Sequence, residues 1–203
     1  MSEVTLLDYG LGNIRAFHNI FSSLAVPVGV ATSADEVKAA RRIVLPGVGS
    51  FDHAMLQLAR RGFREALDEA VLSRAVPVIG VCVGMQMMMD RSEEGDERGL
   101  GWINGSVVRF RQDREECPLP HMGWNRISTR ADHGIFHGLE SPEFYFLHSY
   151  FCTPDTPSHT LAISSYGVGF PSVIAHGNII GVQFHPEKSH GAGVRLLKNF
   201  SEL

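Results

Sequence analysis

The most constraining stretch of the chain is Gly80-Val81-Cys82-Val83-Gly84, which closes the apolar run Val76 to Val81 and precedes a helical pattern through Met85 to Asp90. A cysteine between glycines at a strand-to-helix junction fits a nucleophile elbow. The glycines allow a sharp turn that projects the central side chain, and the next helix aims its first amides at it. Such amides favour a thiolate, and the Val83 N–H is placed to stabilise an oxyanion on an attacked carbonyl. The bland alternative is a small, inert core cysteine, the common fate of a buried thiol. The elbow setting argues against it.

An elbow needs a strand that feeds a helix, and the first half of the chain alternates short β-branched runs with helical patterns, as in a parallel sheet covered on both faces. Val4 to Leu7, Val26 to Val30, Ile43 to Leu45 and Val76 to Val81 are predicted strands. Ile14 to Leu24 is a predicted amphipathic helix, and Phe51 to Leu72, interrupted at Gly62, carries further helical spacing. From Val107 onward the pattern turns strand-rich: Val107 to Phe110, Phe144 to Phe151, Leu161 to Ser164, Val173 to Ala175 and Ile179 to Phe184. The last two flank His176-Gly177-Asn178, a hairpin turn, since Gly and Asn tolerate positive φ. A final helix spans Gly193 to Leu203. The expected class is α/β, a Rossmann-like, mostly parallel central sheet flanked by helices. With no repeat, low-complexity tract or long linker, residues 1–203 are expected to form one domain.

Composition narrows the partners. A chain of 203 residues with 44% hydrophobic content can bury a real core. A formal charge of −4 gives no electrostatic reason to expect nucleic acid or an anionic membrane. No apolar run reaches the roughly 18 to 20 residues needed to span a bilayer, and MSEVTLLDYG lacks a basic segment leading into an apolar stretch. Three scattered cysteines, Cys82, Cys117 and Cys152, make neither a disulfide framework nor a zinc pattern. A reducing, cytoplasmic setting is expected, with no metal or organic cofactor, because the ten histidines show no ligand spacing.

A nucleophilic thiol needs a base. Val182-Gln183-Phe184-His185-Pro186-Glu187 offers one at the end of a predicted strand, with Glu187 able to reach back across the proline turn and hold the imidazole tautomer. Alone, a His-x-Glu is weak evidence; beside the cysteine elbow it is not. The third motif is Leu45-Pro46-Gly47-Val48-Gly49-Ser50-Phe51, a glycine-rich loop between strand and helix. It lacks the Lys-Ser/Thr pair of a nucleotide P-loop. It fits either a second oxyanion donor or a plain connecting turn.

In this order, Pro-Gly-Val-Gly, Gly-x-Cys-x-Gly-Met-Gln and His-Pro-Glu resemble the class I, triad glutamine amidotransferases across nearly the whole chain. Within that superfamily, Asp8-Tyr9-Gly10-Leu11-Gly12-Asn13, Pro120-His121-Met122-Gly123-Trp124-Asn125 and Phe144 to Tyr150 resemble the glutaminase subunits of imidazole glycerol phosphate synthase. The resemblance implies histidine biosynthesis, with ammonia from L-glutamine passing to a separate (β/α)8-barrel cyclase subunit in a heterodimer. It implies Cys82 as nucleophile, His185 as general base and acid, and Glu187 as its orienting carboxylate. Gln86 and the backbone of His148, Ser149 and Tyr150 would contact glutamine, and Gly49 and Val83 would bracket the oxyanion. In such proteins the glycine-loop amide can point away until the partner's ligand binds. Trp124 and Lys188 match partner-facing positions; core packing and a solvated charge are their plain alternatives. Val83 and Leu11 stand where leucine and methionine are usual, away from any reacting atom.

Two rivals keep the triad and change the destination: the glutaminase subunit of pyridoxal phosphate synthase, or a γ-glutamyl peptidase. Pro-His-Met-Gly-Trp-Asn argues against both. A third, a non-catalytic regulatory subunit, sits poorly with an intact Cys82, His185 and Glu187.

Overall fold

A computed structural model describes residues 3–111 and 117–203. The first half runs β1 (Val4–Leu7), α1 (Ile14–Ser23), β2 (Val28–Ala31), α2 (Ala34–Lys38), β3 (Ile43–Gly47), α3 (Phe51–Arg60), α4 (Arg64–Asp68), β4 (Val78–Cys82) and α5 (Val83–Gln86), with a π-helical turn Glu69–Ser73 after α4. The second half runs β5 (Arg91–Ser92), β6 (Gly105–Arg109), β7 (His121–Arg126), β8 (Ser128–Thr129), β9 (Glu143–His148), β10 (Tyr150–Pro154), β11 (Thr160–Tyr166), β12 (Val168–His176), β13 (Ile179–Val182) and α6 (His190–Glu202).

Eight strands form the main sheet in the order β2-β1-β3-β4-β13-β12-β11-β8. The pairs from β2 to β13 are parallel, and those from β13 to β8 are antiparallel. Strands β1, β3, β4 and β13 are buried along their whole length, as expected of parallel strands covered on both faces. Their apolar runs therefore read as strands without alternation. The α/β expectation of a mostly parallel sheet holds. Two small sheets, β10-β6-β5 and β7-β9, lie outside it. The hairpin at Gly177 forms as expected, with φ of 58° there and His176 paired to Ile179.

Three local expectations are corrected. The helix predicted over Met85 to Asp90 is instead the short α5, beginning at Val83. Its continuation fails because the Met87, Met88 and Met89 carbonyls accept from the amides of Leu100, Trp102, Ile103 and Gly101 in a distant loop. The single predicted strand Phe144 to Phe151 breaks at Ser149 into β9 and β10, which belong to different sheets. Strand β7 occupies the Pro-His-Met-Gly-Trp-Asn motif, where no strand was predicted.

Candidate active site

The parallel strands β3, β4 and β13 end side by side, and their carboxyl ends carry the three motifs. At the tip of β4, Cys82 takes φ 55° and ψ −112°, backbone that a side-chain-bearing residue rarely adopts. Glycines make this turn possible by close approach. A Cβ on Gly84 would fall on the Leu45 carbonyl oxygen, and one on Gly47 would fall on the Gly84 nitrogen. The elbow and the glycine-rich loop are thus packed backbone to backbone. Tyr9, from the loop after β1, adds a hydrogen bond from its hydroxyl to the Pro46 carbonyl at 2.6 Å.

His185 follows β13, and its Nδ1 lies 2.9 Å from Glu187 Oε1, with side chains only 4% and 2% exposed. The short 3-10 turn Pro186–Lys188 folds the carboxylate back onto the ring. The main chain is tied to β9: the His185 N–H donates to the Tyr145 carbonyl at 2.8 Å, and the Ser189 hydroxyl donates to the His185 carbonyl at 2.6 Å. Burial alone would depress the His185 imidazole. Hydrogen bonds to Cys82 and Glu187, with their charges, outweigh it and raise the ring to about 9. His185 is therefore an imidazolium at neutral pH.

That shift has a consequence for stability. Because the folded value lies above the ordinary 6.5, the stabilisation is complete below about pH 6.5 and is lost as pH rises through about 9. Thermal melting midpoints are expected to fall between those limits. Cys82→Ala, which removes the stronger of the two partners that raise the ring, should flatten that fall; an equally steep fall in the variant would contradict the pairing.

A cavity of about 290 Å³ opens at this point, lined by Gly49, Cys82, Val83, Gln86, His148, Ser149, Tyr150, His185 and Lys188. Nine of the residues singled out from sequence therefore share one cleft. Glu187 sits behind His185 rather than in the wall. Trp124 also lies outside the lining: it is 48% exposed on the outer side of β7, stacked on His190 with ring centroids 5.1 Å apart, so the core-packing alternative is excluded. The Lys188 ammonium stands 5.7 Å from the centroid of the Tyr145 ring. Gly49 has φ of +87° and open space where a Cβ would project.

Several wall residues were not singled out from sequence. Val48, Glu94, Pro120 and Leu147 line the cleft. The Glu94 carboxylate accepts from the Phe51 N–H at 2.7 Å, capping α3, whose own Ser50 makes no side-chain cap. Nothing distinguishes Glu94 in sequence from its acidic neighbours. Beneath the wall, His148 Nδ1 is 2.8 Å from the Tyr150 carbonyl and its Nε2 is 3.0 Å from His121 Nδ1. Burial depresses these imidazoles to about 3 for His148 and about 4 for His121, so both rings are neutral. Gln183, fully buried, lies within hydrogen-bonding reach of Cys82. A polar residue in an otherwise apolar strand run was the signal available for it. Among the described residues, no group of three His, Cys, Asp or Glu side chains could hold a metal ion, and no helix is long and apolar enough to cross a membrane.

The geometry has counterparts among known proteins. A family model described as glutamine amidotransferase class-I matches residues 5–202. The imidazole glycerol phosphate synthase subunit HisH of Bdellovibrio bacteriovorus is 50% identical over 203 residues, covering 98% of this chain and 100% of that protein. The protein of the same name from Leptospira interrogans is 43% identical, with the same coverage. Among solved structures, a crystal structure of glutamine amidotransferase superposes with a TM-score of 0.77 at 16% identity, covering 100% of both chains. A structure of PurLQS from Thermotoga maritima gives 0.73 at 14% identity, covering 97% of this chain and 96% of that one. At such identities the structural matches speak for the fold alone. The sequence matches go further: the chain belongs to the class-I glutamine amidotransferase family, among its imidazole glycerol phosphate synthase HisH subunits.

Proposed function

We propose that residues 1–203 act as one glutaminase domain that hydrolyses L-glutamine to glutamate and ammonia. The ammonia goes to a separate (β/α)8-barrel cyclase subunit, with which the chain forms a cytoplasmic heterodimer. That partner uses it to make imidazole glycerol phosphate and aminoimidazole carboxamide ribonucleotide in histidine biosynthesis. The observation that carries this reading is that Cys82 and His185 line one cleft with Glu187 behind the imidazole, within a family of glutamine amidotransferases.

The starting state is the Cys82 thiolate beside the His185 imidazolium. The thiolate adds to the carboxamide carbon of glutamine, and amides at Val83 and in the Gly49 loop receive the oxyanion. His185 gives its proton to the departing nitrogen, ammonia leaves, and a γ-glutamyl thioester remains on Cys82. Neutral His185 then takes a proton from water, which adds to the thioester carbon. Collapse releases glutamate and restores the ion pair. Gln86 and the backbone at His148, Ser149 and Tyr150 hold the rest of the substrate. Exposed Trp124 and Lys188, at the rim, face the partner.

Glu187→Gln tests the orienting role. An amide can present the wrong atom to Nδ1, and loss of the correct tautomer is expected to lower kcat by about 100- to 10,000-fold with little change in KM. An unchanged kcat would remove Glu187 from the assignment. The pathway itself is tested by measuring glutamate release by the chain alone and with a cyclase subunit loaded with its ribonucleotide substrate. Nothing stands within 4 Å of where a Gly49 side chain would project, and a missing oxyanion donor costs about 100- to 1000-fold. Strong stimulation by the loaded partner is therefore expected; full activity of the isolated chain would rule out this switch.

A further inference from the structure

Gln183 precedes the catalytic His185 by two residues and is 0% exposed. A buried amide is unfavourable unless its polar atoms are partnered, and the partners here fix which way round it lies. The Tyr150 carbonyl can only accept, so the Gln86 atom 3.1 Å from it is the amide nitrogen. The same nitrogen lies 3.1 Å from Gln183, whose facing atom must then be the carbonyl oxygen, Oε1. What remains of the Gln183 amide, its N–H group, points to the Cys82 sulfur at 3.7 Å. The order of donors follows from chemistry at one fixed acceptor and needs no choice of amide flip. Tyr150 is itself a firm anchor, since its carbonyl also accepts from His148 Nδ1.

We infer that Gln183 is a further catalytic residue, donating its Nε2–H to the Cys82 sulfur to hold the thiolate, with Gln86 and the Tyr150 carbonyl locking the amide in that sense. The inference rests on Cys82 being the nucleophile. The surroundings show why a neutral donor matters. Leu147 O, 3.8 Å from the sulfur, can accept from a thiol and offers nothing to a thiolate. The Tyr9 phenol and Cys152 thiol are held neutral by burial and, secondarily, by the charge of Cys82, and the His148 imidazole is held neutral by burial. His185, backed by Glu187, supplies the positive charge on one side of the sulfur, and Gln183 supplies a fixed dipole on another. When the thioester forms and later collapses, the returning negative charge meets a donor already in place.

The test uses the full chain in complex with its partner, comparing Gln183→Leu and Gln183→Glu with the parent and with Cys82→Ala. Two quantities are read: the rate of Cys82 alkylation by iodoacetamide at pH 7, and kcat and KM for glutamine. Gln183→Leu is expected to slow alkylation about 10-fold and to lower kcat about 10- to 100-fold, with KM within about threefold. Gln183→Glu should be slower still, because a carboxylate repels the thiolate. A folded Gln183→Leu protein with parental alkylation and kcat overturns the inference. Should neither Gln183 variant fold, the four glutamine side chains can be labelled with 15N in the parent and in Cys82→Ala. Removal of the sulfur must then shift the buried Gln183 Nε2–H resonances, and unmoved resonances overturn the inference. An active Cys82→Ala would remove the nucleophile assignment and this inference together. An inactive Cys82→Ala beside an unaffected Gln183→Leu removes this inference alone.

Discussion

Cys82→Ala is expected to lower glutamine hydrolysis by about 10,000-fold or more, in the complex as in the isolated chain. The side chain supplies the covalent bond that divides amide cleavage into two easier steps, and among the described residues no other thiol lines the cleft. The other buried thiol, Cys152, has its proton held by burial and does not line the cleft. Binding should survive, because Gln86 and the backbone of β9 and β10 remain. Calorimetric titration with glutamine is therefore expected to give a dissociation constant close to the parent's. Retained hydrolysis would refute the covalent route. Lost binding together with lost hydrolysis would point to a collapsed site instead.

Gly84→Ala is expected to be among the most damaging single methyl additions at the described glycines. Its Cβ would meet the Leu45 carbonyl oxygen, with the Leu45 carbonyl carbon at 3.1 Å and the Pro46 carbonyl carbon at 3.4 Å. All three are main chain of β3, so no rotamer change can relieve the contact. Overpacking of this kind costs about 3 kcal/mol or more, which corresponds to a melting midpoint lower by roughly 10 °C in a protein of this size. Activity should fall with it, because the displaced elements are the elbow and the loop that is proposed to hold the oxyanion. Gly191→Ala, in the first turn of α6 with nothing within 4 Å, is the control and is expected to shift the midpoint by no more than about 2 °C. Equal melting of the two variants would show that the elbow has more slack than its packing suggests.

What could be read from residue order follows from how local each determinant is. The strands β1, β3 and β4 were legible because their apolar runs are buried on both faces and bounded by turn residues. Helix α1 was legible within one residue, since its amphipathic spacing agrees with an Asn13 cap that accepts from the Ala16 N–H. The length of α5 was not legible. It is set by amides near residue 100 that claim the methionine carbonyls, a contact with no trace in the local pattern. The break at Ser149 was hidden for a related reason, as Phe144 to Phe151 reads as one apolar run although its halves serve different sheets. Strand β7 escaped because its exposed side carries Met122 and Trp124, 65% and 48% accessible, which invert the usual alternation. In the cleft, motif spacing found the groups that carry charge or lie beside glycines. It did not find Glu94 or Gln183, whose interest arises from what they touch.

Strand β13 lies between β4 and β12, so the segment that completes the central sheet is also the segment that leads into His185. During synthesis the chain emerges from its amino-terminal side, and β4, already bearing Cys82, must wait for about a hundred further residues with one edge unpaired. Until residues 179–182 slot in, the thiol has no base and β4 offers its free hydrogen-bonding groups to any passing strand. A nascent or truncated chain is thus chemically idle but sticky. Pairing β13 with β4 closes that edge and brings the base to the cysteine in a single event.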